Sequence, residues 1–291
     1  MRNVLETVEK VLDHDVSILI LGESGTGKDY LAEAIHACSS RRDEPFLHIE
    51  CASIPADLFE SELFGHERGT FTDAQTRKPG KLELARRGTV YFDEIAALAP
   101  ALQAKLLRTV QERSFSRLGG TATLAFDARV ISSSNGDLAT LLATGALRRD
   151  LYYRINAVTL TLPPLRDRAE DVPLLAAQFL RRTKLRRFDD AARRMLVSYG
   201  WPGNVRELRN AIERAALLEE SDRITAASLP IREPEQILAA AARAAWTLDE
   251  LESHYIREVL KMTRRNYSRA AEILGINRKT LLEKRRRYGI E

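Results

Sequence analysis

The chain has 291 residues, 44% of them hydrophobic and 30% charged, with a formal net charge of +4, which is enough for about two domains with real cores. No apolar run approaches the ~18 residues of a membrane span, and the opening "MRNVLETVEKVLDHD" lacks the basic start and apolar stretch of a signal peptide, so a cytoplasmic protein is expected. Cys38 and Cys51 lack metal-ligand neighbours and are each expected to be reduced and buried, and the five histidines are too scattered for a zinc site.

Short apolar, β-branched runs recur between helical stretches, at 17–21, 46–49, 89–92, 129–134 and 157–162. That alternation predicts an α/β domain built on a mainly parallel sheet. The first run leads into Gly22-Glu23-Ser24-Gly25-Thr26-Gly27-Lys28, and a helix is expected from Tyr30 onward with Leu31, Ala34 and Ile35 inward. A strand, a glycine loop and a helix start in that order suit phosphate: backbone N–H groups converge on it, and Lys28 reaches the β- and γ-phosphates. Asp29 stands where a Mg²⁺-binding Ser or Thr usually follows the lysine.

The stretch 65–81, rich in glycine and polar residues, interrupts the α/β rhythm. The third run, "TVYFDE", then delivers Asp93 and Glu94 to a strand's carboxyl end, where α/β sites lie. Alone, neighbouring carboxylates there read as a solvated strand exit. Paired with the lysine loop, Asp93 is expected to hold Mg²⁺ and Glu94 to polarise the attacking water. Residues 113–126 carry Gly119-Gly120 between β-prone flanks and predict a hairpin. Asn135 ends the next strand, where an amide can sense the γ-phosphate or hold the water.

After 163–168 the strand signals stop, and helices are expected at 171–183, 189–198 and 205–219. Residues 231–246 read as a linker and 247–262 as an amphipathic helix suited to dimerisation. Residues 261–291 carry ten Lys/Arg against three acids, so this tail is +7 and the rest of the chain −3. In it, Tyr267, Ala270, Ala271 and Leu274 form one stripe, Gly275 ends the helix in the left-handed conformation, and Asn277 caps the next. That second helix, Arg278 to Tyr288 with Leu281 and Leu282 inside, completes a helix–turn–helix. Arg278, Lys279 and Thr280 are expected at bases or phosphates, and Lys284, Arg285, Arg286 and Arg287 at phosphates.

"GESGTGKD", "ESELFGHERGTFTDA", "TVYFDE", "LRRDLYYRI", "LPPLRDRAEDVPLL" and "WPGNVREL", in this order, resemble the AAA+ ATPases that activate sigma-54 RNA polymerase, the bacterial enhancer-binding proteins. The resemblance implies a P-loop NTPase fold with a five-stranded parallel sheet at 1–168, a helical lid at 169–230, the linker at 231–246 and a Fis-type DNA-binding domain at 247–291. An acidic residue after the loop lysine is a trait of that family, so Asp29 is expected to support Mg²⁺ beside Asp93. Arg148 and Arg154 resemble arginine fingers reaching a neighbour's ATP, and Arg206 resembles the lid's sensor arginine. Gly69, Thr70, Phe71, Thr72, Asp73 and Ala74 resemble the loop that contacts sigma-54, with Thr70 replacing Ala and Asp73 replacing Gly. Glu50 stands where the family has Asn; close to Glu94, it would disturb the nucleotide switch through like charge.

The function implied is ATP-driven transcription activation by a homo-oligomeric ring, expected to be a hexamer and a dimer when inactive, bound to an upstream DNA site. No receiver or sensing domain is expected before residue 1. The alternative is a DNA-binding regulator whose ATPase body controls oligomerisation without engaging sigma-54.

Overall fold

The structure, a computed structural model, describes residues 1–52, 56–70, 76–181, 183, 187–219, 221–231, 246–263 and 265–290. Contacts divide the chain into two units, Met1–Pro230 and Ile231–Glu291. The first begins with α1 (Arg2–Val11), β1 (Ile18–Leu21), α2 (Lys28–Cys38) and β2 (Phe46–Glu50). After α3 (Ala56–Phe64), a two-residue antiparallel pair, β3 (Gly65–His66) with β4 (Lys78–Pro79), closes the base of the first insertion. Then come α4 (Lys81–Leu84), β5 (Thr89–Asp93) and α5 (Pro100–Glu112), followed by the expected hairpin, β6 (Ser114–Ser116) with β7 (Thr123–Ala125). β8 (Arg129–Ser134), α6 (Leu138–Ala143), α7 (Arg149–Ile155) and β9 (Val158–Thr161) complete the α/β part.

The five long strands are all parallel, in the order β2-β5-β8-β1-β9. Their side chains alternate between two cores. Leu19, Val90, Phe92 and Val130 pack with α3, α4, α5 and α7, whereas Ile18, Ile20, Tyr91 and Ile131 pack with α1 and α2. A sheet covered on both faces explains why the strands read as continuous apolar runs.

A 3₁₀ segment, Leu165–Asp171, enters the helical part: α8 (Val172–Leu180), β10 (Arg187–Phe188), α9 (Asp190–Ser198), α10 (Asn204–Leu218) and β11 (Arg223–Ile224). β10 and β11 pair in parallel, a contact that two residues cannot announce in sequence. The second unit contains α11 (Leu248–Met262), α12 (Tyr267–Ile273) and α13 (Arg278–Arg287). Thr247 and Glu250 form a reciprocal capping box on α11, and Asn266 and Asn277 cap α12 and α13. Ile256, Val259, Leu260, Ala270, Ala271 and Leu281 form its core.

Four expectations are corrected. Cys38 is exposed at the end of α2, and only Cys51 is buried. α2 starts at Lys28 rather than Tyr30, and on it Ala32 rather than Ala34 faces inward, Ala34 being exposed. Leu282 is half-buried beside the fully buried Leu281, because α13 presents one narrow stripe to a small core. Among the described residues, no helix is long and apolar enough to cross a membrane.

Candidate functional site

β1, β8 and β5 are neighbours, so their carboxyl ends bring the loop 22–28, Ser133 to Asn135, and Asp93 with Glu94 to one edge of the sheet. Gly25 and Gly27 have left-handed φ values of 78° and 97°, turns from which backbone anion nests are made. Gly25 also has a packing reason. A Cβ there would lie 2.5 Å from the Gly203 carbonyl oxygen, so glycine lets the loop touch the helical part. Lys28 is buried, with Nζ 3.0 Å from the Gly22 carbonyl and 3.3 Å from that of Glu23. The Thr26 hydroxyl donates to the Glu23 carbonyl at 2.8 Å. Asp29 is exposed in the first turn of α2, where the helix dipole favours a carboxylate.

Glu94 adopts a left-handed backbone with φ 57°, uncommon for a non-glycine residue and held here by its surroundings. Its N–H donates to Ser133 Oγ at 2.9 Å, and its Oε2 accepts from the Asn135 N–H at 3.0 Å. Its Oε1 lies 3.5 Å from Lys28 Nζ. Asp93 Oδ1 accepts from the Tyr91 hydroxyl at 2.9 Å and from Ser133 Oγ at 2.5 Å. Burial drives the Tyr91 phenol well above its ordinary pKa, so it remains a donor to Asp93. Burial, with Asp93 and Glu94 nearby, likewise pushes the Cys51 thiol up and makes it a poor nucleophile. Glu50 lies opposite Asp93 in the β2–β5 register, one position before Glu94.

Among the described residues, no three or more His, Cys, Asp or Glu side chains form a metal cage. Asp93 and Asp29 are hard oxygen donors next to the loop. Mg²⁺ is commonly held by one or two carboxylates plus substrate phosphates, so this donor set fits a cation that arrives on a nucleotide.

The helical part grips the same loop. Arg206 donates to Ser24 Oγ at 3.1 Å. Asn204 Nδ2 donates to the Ser24 carbonyl and to Glu23 Oε2, both at 3.1 Å, while its Oδ1 accepts from the Leu165 N–H at 2.7 Å. Arg166 forms a forked pair with Glu23 at 2.6 and 2.8 Å and holds that carboxyl below the usual carboxylate range. Arg168 donates to the Thr26 carbonyl at 2.9 Å. Sequence reasoning missed Ser133, Arg166, Arg168 and Asn204. The arginines in "LRDR" and the asparagine after "WPG" are the signals that could have marked the last three.

Arg148 and Arg154 bracket α7. Arg148 pairs with Asp150 at 2.7 Å, and Arg154 donates to the Val110 carbonyl at 3.1 Å; neither of these bonds is to the phosphate loop. In the loop expected to meet sigma-54, Phe71, Thr72, Asp73 and Ala74 lie outside the described residues. Gly69 and Thr70 are described. The Thr70 hydroxyl sits 3.0 Å from the Leu118 carbonyl and 2.6 Å from that of Glu67. Buried Arg117 in the hairpin binds Glu83 at 2.6 and 2.9 Å and Glu67 at 2.8 Å. The two insertions are thus joined at their bases.

In the second unit, Gly275 is left-handed (φ 66°), as expected. Thr280 donates to Asn277 Oδ1 through its N–H and its hydroxyl, at 2.8 and 3.0 Å. Lys284 pairs with Glu252 at 2.8 Å, Arg287 with Asp249 at 2.5 Å, and Arg285 donates to the Tyr267 hydroxyl at 2.7 Å. Arg278, Lys279 and Arg286 are exposed and form no ion pair among the described residues.

Residues 1–161 match the sigma-54 interaction domain, 166–244 the AAA+ ATPase lid domain and 247–288 the bacterial regulatory proteins of the Fis family. The transcriptional regulatory protein ZraR of Salmonella typhimurium is 42% identical over 295 residues, covering 98% of this chain. The regulatory protein AtoC of Escherichia coli is 42% identical over 306 residues, covering all of it. The chain spans 66% of the length of each. A crystal structure of NtrX from Brucella abortus superposes with a TM-score of 0.74 at 36% identity, over 100% of this chain and 68% of that one. NtrX in complex with ATP gives 0.72 at 35% identity, with the same two coverages.

Proposed function

Because the chain belongs to the sigma-54-dependent transcriptional activator family, we propose that it is an ATP-hydrolysing activator that remodels sigma-54 RNA polymerase while bound to upstream DNA. The observation that carries the ATPase reading is the ion pair between Lys28 and Glu94 at the shared edge of β1, β8 and β5. ATP arrives with Mg²⁺. Lys28 exchanges its carbonyl and carboxylate partners for the β- and γ-phosphates, which releases Glu94 to orient and polarise the attacking water. Asp93 and Asp29 would hold the Mg²⁺ that accompanies the nucleotide, which would supply charge neutralisation at the phosphates. The backbone of residues 22–27 cradles the phosphates, Arg206 follows the lid, and Asn135 reports the γ-phosphate to Glu94.

Arg148 and Arg154 act on the ATP of an adjacent protomer in a ring, with six subunits as the proposed size. An arginine supplied in this way accelerates phosphoryl transfer by roughly 10³–10⁵. Hydrolysis drives the segment from Gly69 to Ala74 against sigma-54, and the helix–turn–helix holds DNA as a dimer. The proposed setting is the cytoplasm.

A second reading keeps DNA binding and ATP-dependent assembly without sigma-54 engagement; Asp73 and Glu50 favour it. Capture of sigma-54 on the protein loaded with an ATP transition-state analogue separates the two. Binding, strengthened by Asp73→Gly, supports the activator. Ring assembly and DNA binding without sigma-54 capture would favour the second reading.

A further inference from the structure

The helical part of the first unit contains a cavity of about 420 Å³ between α8 and α9 that the proposed reaction does not use. Leu180, Phe188 and Leu196 give it an apolar wall, and Arg181, Arg187 and Arg193 also line it. Arg187 is paired with Asp222. Arg181 and Arg193 are exposed and have no acidic partner among the described residues. The volume falls within the ~300–1,000 Å³ typical of small-molecule sites, which combine apolar walls with a few polar groups.

We propose that this cavity binds a small amphipathic carboxylate, with an aliphatic body of about ten carbons against the apolar wall and its anionic head at Arg181 and Arg193. Guanidinium groups suit a carboxylate through two parallel N–H donations. The apolar wall disfavours sugars and nucleotides, and the arginines disfavour cations.

The wall is connected to the phosphate loop. The Leu196 carbonyl accepts from Trp201 Nε1–H at 2.8 Å, and the Trp201 carbonyl accepts from the Asn204 N–H at 2.7 Å. Asn204 in turn donates to the Ser24 carbonyl at 3.1 Å. A ligand that shifts α9 therefore shifts the loop and changes ATP affinity. This coupling rests on the proposed ATP site; binding in the cavity does not.

Decanoate titrated calorimetrically into the full chain tests the site, with decanol and decylamine as neutral and cationic controls. The expected result is saturable binding with a Kd of roughly 0.1–1 mM, in line with ordinary ligand efficiency, and at least about tenfold weaker binding of decanol. Arg193→Gln, at an exposed position, weakens decanoate by about tenfold. Ala177→Trp, on the exposed side of the cavity, fills it and abolishes binding. Saturating decanoate shifts the affinity for a fluorescent ATP analogue by about threefold or more in the unmodified chain and leaves it unchanged in Ala177→Trp. Absence of saturable binding, or equal binding by decanol or by Arg193→Gln, would overturn the site. Binding without any change in nucleotide affinity would overturn the coupling. Failure to bind the nucleotide with or without decanoate would count against the ATPase reading, while the calorimetry still decides the cavity.

Discussion

At Glu94, the left-handed backbone donates its N–H to Ser133 Oγ, while the Asn135 N–H and Lys28 converge on the carboxylate. Removing its charge while keeping its shape is the sharpest test of its role. Glu94→Gln is expected to retain ATP affinity and to lose turnover by at least about 10²-fold; an unchanged hydrolysis rate would remove Glu94 from the chemistry. His36 makes a separate residue-level prediction. It is buried, with Nδ1 2.9 Å from Thr89 Oγ1, and burial in the first place lowers its pKa. From about pH 6.5 down to that lowered value, the unfolded chain binds the extra proton, so stability is complete above the window and falls on acidification through it. His36→Gln is expected to flatten that fall, seen as a smaller loss of melting temperature between neutral and mildly acidic buffer. Lys28, Asp93 and Glu94 were legible in sequence because each occupies a fixed offset from a strand end. Ser133, Arg166, Arg168 and Asn204 were not. Their partners come from distant segments, as with Arg168 and Thr26, and only the folded chain sets those distances. Cys38 was misjudged because one residue's burial depends on helix phase near a terminus.

At the scale of elements, β1, β2, β5, β8 and β9 fall within a residue or so of where the apolar runs placed them, because burial on both faces writes a continuous signal. The two-residue pairs β3–β4 and β10–β11 left no such signal; tertiary packing, not strand propensity, defines them. The contact between the loop and α10 predicts that Asn204→Ala weakens nucleotide binding and also lowers stability, since it leaves the Leu165 N–H and the Ser24 carbonyl without their partner. A change in stability without any change in nucleotide affinity would make Asn204 purely structural. In the second unit, the basic residues divide into two groups. Lys284 and Arg287 hold α13 to α11 through Glu252 and Asp249, so replacing them with glutamine is expected to lower the melting temperature. Arg278→Gln and Arg286→Gln leave the fold intact, weaken DNA binding and each reduce the salt dependence by about one counterion. Equal salt slopes in all four variants would contradict the division.

Across the whole molecule, the charge asymmetry visible in composition matches the match of residues 247–288 to the Fis family, and the ordered motifs match the sigma-54 interaction domain and the AAA+ lid. Sequence could not show that the two insertions meet, nor that Arg117 and Thr70 join their bases, because both contacts span about fifty residues of chain. Under the function proposed above, hydrolysis at a site shared between protomers drives work on the transcription machinery. The most direct measurement is formation of heparin-resistant open complexes by sigma-54 RNA polymerase on promoter DNA carrying an upstream binding site. Open complexes are expected with ATP and the unmodified chain, and none with a non-hydrolysable analogue or with Glu94→Gln. Brisk ATP turnover by assembled protein with no open complexes would overturn this coupling of hydrolysis to transcription.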